Sequence, residues 1–167
     1  MGPLLRPAVR PAHRPSHALR LASIGLLSTL CVALPARANG KQELPTPELI
    51  AQLEQRASQA DPREQCFLYS QLIHTMTQQA GQQIAEGDTE AAARTLSRVN
   101  HYAHLVQVNL AHNAKHLKDA EELMENTTYR LAQVLHLVSG QDKATVQETL
   151  KQLDQVNDQL LNQVFSH

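Results

Sequence analysis

From Asp88 to Ser139 the chain runs for 52 residues without glycine or proline, between Gly87 and Gly140. Its apolar positions recur in sevens: one position holds Leu96, Ala103, Leu110, Leu117, Met124, Leu131 and Val138. The position three residues on holds Val99, Val106, Asn113, Ala120, Thr127 and Val134. A repeat of about 3.5 residues is a helical seam with a left-handed supercoil, so the pattern predicts one helix over 88–139 that packs against partner helices. At about 1.5 Å per residue it would be about 78 Å long. A sharp bend near His112–His116 is the structural rival, but no Gly or Pro there licenses it.

The flanking segments carry start and stop signals. Thr46-Pro47-Glu48 supplies a cap, a proline at the first helical position and an acid in the first turn, which predicts a helix over about 47–59 with Leu49, Ile50, Leu53 and Ala57 on its apolar face. Asp61-Pro62-Arg63-Glu64 opens a second, over about 62–86, with a stripe of Cys66, Tyr69, Ile73, Met76, Ala80 and Ile84. Gly87 suits the left-handed position that ends a helix, and Asp88 caps the next. After Ser139-Gly140 a fourth helix is expected over about 142–165, with Val146, Leu150, Leu153, Asn157, Leu160 and Val164 spaced by fours and threes. Such short turns make consecutive helices antiparallel neighbours.

The expected fold class is therefore all-α, antiparallel helical hairpins or a bundle built around one long heptad-patterned helix. The second and fourth helices are each about half its length, and their ends meet near Asn113 on its seam. A buried Asn at such a position fixes register at some cost in stability, which makes Asn113 a candidate structural residue. Such a zigzag would bury only one face per helix along much of its length, so either the short first helix and the two partners overlap into a three- or four-helix cross-section or a second chain completes it; a homo-oligomer or another helical protein is the expected partner.

Composition changes the picture at the N-terminus. Residues 1–20 are basic and proline-rich, Leu21–Leu34 is apolar, and Pro35-Ala36-Arg37-Ala38 offers small residues, the pattern of a secretory signal peptide cleaved after Ala38. The apolar run is shorter than the roughly 20 residues of a membrane span. Lipidation at Cys31 and an organellar transit peptide are the alternatives; Leu30 ahead of Cys31 and the unbroken apolar run weigh against them. Residues 39–45 form a flexible lead-in to a single helical domain over 46–167. The product is expected to be exported, periplasmic or extracellular, with no membrane span in the mature chain.

All 16 acids lie from Glu43 onward, whereas five of the 15 bases (Arg6, Arg10, Arg14, Arg20, Arg37) belong to the leader. The remainder carries 10 bases and a formal charge of −6. With no clustered Lys or Arg, no Trp and few aromatics, the composition argues against a nucleic-acid partner. Cys66 is the one cysteine after the leader. It has no internal disulfide partner, and its place on an apolar stripe favours burial over an intermolecular bond.

Histidine is the unusual component: His74, His101, His104, His112, His116, His136 and His167 follow the leader. On one helix, His101 with His104 and His112 with His116 stand three and four apart, spacings at which two imidazoles share Zn, Ni or Cu. These four are the candidate metal ligands. Against that chemistry, no Asp or Glu lies between Ala91 and Lys118, so carboxylate partners must come from elsewhere. The His112–His116 segment reads HNAKH and lacks the glutamate base of a zinc-protease helix.

Glu121, Glu122 and Glu125 near Lys118 read as a solvated charged face, and the Asn126-Thr127-Thr128 sequon falls in mid-helix. No phosphate loop, C-x-x-C, haem attachment or G-x-S-x-G motif is present. Glu86–Leu96 (EGDTEAAARTL) resembles the turn of a tetratricopeptide helical hairpin over about a dozen residues; it lacks that family's Trp, Leu-Gly and Tyr positions and does not recur at about 34 residues. No function is carried over from it.

These features lead to an expected exported, non-enzymatic helical interaction protein, a spacer, adaptor or chaperone-like module of the cell envelope. The alternative is an envelope or periplasmic transition-metal-binding protein using His101, His104, His112 and His116, which a calorimetric titration with Zn, Ni or Cu tests. No cofactor is expected apart from such a metal.

Overall fold

The structure, a computed structural model, describes residues 45–112 and 114–166. The expected signal peptide, Cys31, nearly all of the lead-in, Asn113 and His167 lie outside the described residues. Five helices and no strand occur among the described residues: α1 Pro47–Gln59, α2 Pro62–Ala85, α3 Thr89–Leu110, α4 Leu117–Val134 and α5 Gly140–Phe165. The fold is an all-α bundle.

Local chemistry accounts for most of the boundaries. Thr46 Oγ1 accepts the Leu49 amide at 3.2 Å, and Asp61 Oδ1 accepts the Arg63 amide at 2.9 Å, each satisfying a donor left over in a first helical turn. Asp61 precedes Pro62 and is held out of the helical region, which separates α1 from α2. At the end of α2, Gly87 takes φ +82°. Its amide donates to Ile84 O at 3.0 Å, and the Asp88 amide donates to Gln83 O at 2.8 Å. That pair of bonds is the Schellman closure, and the left-handed backbone it needs is open to glycine at little cost. Asp88 then accepts the Ala91 amide at 3.0 Å and starts α3.

The helices form two antiparallel hairpins, α2/α3 and α4/α5, set side by side with α2 against α4 and α3 against α5. Across that junction the partners run parallel. His74 in α2 meets Thr127 in α4, 53 residues further on. Gly81 faces Val134 later along the same two helices. In the other layer Gln152 of α5 donates to Asn100 O of α3, 52 residues away. The first helix, α1, lies on α2, where Arg98 and Tyr102 of α3 both reach Glu54; the Tyr102 hydroxyl donates at 2.6 Å. Tyr102 also stacks on Tyr69 with ring centroids 5.7 Å apart.

The expected single helix over 88–139 is two helices, α3 and α4, with a turn over 111–116. Its cause lies in α2. Beyond the predicted stripe, α2 also buries Leu68, Ser70, Leu72 and Thr77, so its apolar surface wraps past one face. A straight helix over 88–139 would cover one side of α2 and leave the other in water. Doubling back places α4 on the second side. Contacts with the first turns of α2 hold the bend where no Gly or Pro does: the Lys115 amide donates to Arg63 O at 2.7 Å, Lys115 Nζ pairs with Glu64 at 3.1 Å, and the His116 ring lies 5.4 Å from Phe67. Ala114 is buried in the turn. The far end of the expected helix is also shorter, since α4 stops at Val134 and a turn leads to Gly140, the first residue of α5.

Leu72 in α2 is fully buried and faces the deepest packing, so Leu72→Ala should lower unfolding free energy by about 2–5 kcal/mol. Gly87→Ala, which forces a Cβ into the left-handed region, should cost about 1–2 kcal/mol with no steric clash to add to it. Urea unfolding of the two variants checks the order; a Leu72→Ala loss smaller than that of Gly87→Ala contradicts the placement of α2 at the centre.

Candidate functional site: the cleft between α2 and α4

A stripe of small and polar residues runs down α2 at helical spacing: Ser70, His74, Thr77 and Gly81. His74, Thr77 and Gly81 of this stripe face α4 and let the two helices approach. Gly81 is the narrow point, where an added Cβ would sit 3.6 Å from Val134 Cγ2, ordinary contact distance. A cleft of about 420 Å³ opens there, walled by His74, Thr77, Gln78 and Gln82 of α2, by Thr127, Arg130, Gln133 and Val134 of α4, and by Pro45 just ahead of α1. Its size falls within the range of small-ligand sites. No carboxylate is among the residues that wall it.

His74 is the fixed point of this cleft. Its Nε2 lies 2.8 Å from Gln78 Nε2, an amide nitrogen that can only donate, so the imidazole accepts there. The proton is then on Nδ1, which donates to Thr127 Oγ1 at 2.8 Å. Thr127 passes its own hydroxyl proton to Leu123 O at 2.7 Å. Both ring nitrogens and the Thr127 hydroxyl are matched for a neutral ring. A second proton on His74 would set two N–H groups against each other unless the Gln78 amide turned over. Burial holds the His74 pKa below its ordinary value, and the positive charge of Arg130 adds to the effect. Arg130 donates from Nε to Asn126 Oδ1 at 2.8 Å, and Gln82 donates to Glu86 at 2.7 Å.

The side chains singled out from the sequence lie elsewhere. His101 and His104 are exposed on α3, the former edge-on to Tyr102 at 5.3 Å between centroids. His112 and His116 were expected on one helical face, and that premise fails because the described residues 111, 112 and 114–116 lie outside α3 and α4. His116 takes a left-handed backbone (φ +57°) and its Nδ1 lies 3.2 Å from Asp119 Oδ2. Among the described residues, no group of three or more His, Cys, Asp or Glu side chains is placed to hold a metal ion. Cys66 is fully buried, and burial pushes its thiol up to about 12, far from the thiolate needed for reactivity. His74 lies off the stripe predicted for α2 and meets α4 through Thr127. The signal for its actual place was present in the Ser70–His74–Thr77–Gly81 spacing, which marks a close helix–helix approach as clearly as an apolar stripe marks a core.

No protein-family model, curated protein or solved structure matches the chain.

The locked neutral imidazole has a consequence for stability. An unfolded His titrates near about 6.5. With the folded pKa below that value, the unfolded chain binds more protons as the pH falls, so stability is full above about 6.5 and declines as the pH drops through the folded pKa. Urea midpoints between about pH 8 and pH 5 should fall on the acid side, and His74→Gln should flatten part of that slope. An unchanged slope in the variant would show that His74 is not held neutral.

Proposed function

We propose that the chain is an exported, non-enzymatic helical interaction protein, an adaptor, spacer or chaperone-like module, that meets its partner at the α2/α4 cleft. The observation that carries this reading is the engagement of both His74 nitrogens, by Gln78 and Thr127. A ring so held ties two helices together and has no lone pair or proton to spend on a substrate. Around it stand amides, hydroxyls and one guanidinium beside the apolar Val134 and Pro45, a set suited to receiving carbonyl or carboxylate groups from a bound segment. Export rests on the basic, apolar and small-residue pattern of residues 1–38.

A photo-crosslinking amino acid in place of Gln133, which is exposed on the cleft rim, tests the reading in the producing cell's envelope. A discrete adduct is expected, and Gly81→Leu, which fills the cleft, should remove it while helical content is retained. Crosslinks that Gly81→Leu leaves in place, or none at all from Gln133, would contradict the cleft as the contact site.

A further inference from the structure

The turn between the hairpins holds neither of the residues that break a helix outright. The segment 111–116 has no Gly or Pro and continues the heptad seam of both neighbours: Leu110 and Leu117 are one repeat apart. His116 nevertheless adopts the left-handed backbone, unfavourable for a residue with a Cβ, and α4 begins without a side-chain cap. Straightening the segment would release that strain and add helical hydrogen bonds. What it would cost is the contact of one hairpin with the other, where polar groups are buried beside the apolar core. His74, Thr77 and Thr127 lie between α2 and α4, and Gln152 reaches Asn100 between α3 and α5. Buried oxygens without a partner occur in both hairpins: Thr77 Oγ1 and Asn100 Oδ1 in the first, Thr149 Oγ1 and Asn157 Oδ1 in the second. The first hairpin contributes Leu72, Ile73, Met76, Leu96, Val99 and Val106 to the core, all buried.

We propose that a second copy of this chain takes the place of the second hairpin, giving a domain-swapped dimer in which residues 88–139 form one continuous helix. The connectivity allows it. In the closed chain α3 descends and α4 returns parallel to α2; in the open chain α4 continues away from α3, beyond the reach of its own first hairpin. A copy related by a two-fold axis brings its α4 and α5 back along α2 and α3 in the same direction as before. Each module then remakes the helix–helix contacts of the closed fold, including the α2/α4 cleft; the Lys115 amide leaves Arg63 O for a helical bond, and the two long helices run antiparallel. Such an arrangement is closed and isologous, and strained short hinges favour it. It goes beyond the functional reading above and does not rest on it.

The test uses the full chain with Cys31→Ser, Gly81→Cys and Val134→Cys, refolded at high and at low concentration and then oxidised. Residues 81 and 134 face each other across the junction, and buried Cys66 stays unreactive. At high concentration the expected product has the mass of two chains in solution, and a non-reducing gel shows the disulfide joining different chains. At low concentration the same disulfide closes within one chain. In a background without the added cysteines, His116→Gly relieves the left-handed strain and should weaken the dimer on the order of tenfold for each of its two hinges. His116→Ala should favour it. A two-chain mass with the disulfide confined to single chains overturns the proposal, as does a one-chain mass at every concentration for both the parent and His116→Ala.

Discussion

Helix α2 buries residues around more of its circumference than one neighbour can cover. Cys66, Ile73 and Met76 lie on the predicted stripe, Leu68 and Leu72 lie off it, and all five are buried. Burial of large aliphatic side chains contributes about 1.5–3 kcal/mol each, more than the turn over 111–116 costs in lost helix and a left-handed residue. That balance decides the topology. With α1, α3 and α4 all placed against α2, α5 takes the remaining position beside α3 and α4. The central helix is therefore the 24-residue α2 and not the longest apolar repeat in the chain.

The same requirement positions the cleft. Covering a second side of α2 with another helix demands close approach along Ser70, His74, Thr77 and Gly81, and small or polar residues there permit it. The cost of a polar contact is limited because His74, Thr127 and Gln78 satisfy one another. Thr77 is not satisfied in this way, its Oγ1 being buried without a partner. The junction between the hairpins therefore buries at least one polar group that nothing compensates.

Much of this was legible in the sequence because local chemistry decides it. Thr46, Asp61, Gly87 and Asp88 mark helix ends through hydrogen bonds formed within a few residues, so the all-α class and the α2/α3 hairpin follow from them directly. The turn over 111–116 was not legible in the same way. Nothing local breaks the helix there; the bend is held by Arg63, Glu64 and Phe67, about fifty residues earlier, acting on Lys115 and His116. The relation of His112 to His116 depends on the same turn, since they share a face only where the backbone is helical. His74 was missed because a single stripe was assigned to α2, although its second stripe is as regular as its first.

The doubled-back path of α4 is the point on which the account stands. Spin labels at exposed Arg94 and Gln133, on doubly labelled chains diluted into unlabelled protein at low concentration, measure it directly by dipolar spectroscopy. In the closed fold both positions lie at the same end of the bundle, and the labels should be separated by less than about 30 Å, the span of a four-helix cross-section with label arms. A separation near 58 Å, about 1.5 Å for each intervening residue of one unbroken helix, would contradict it.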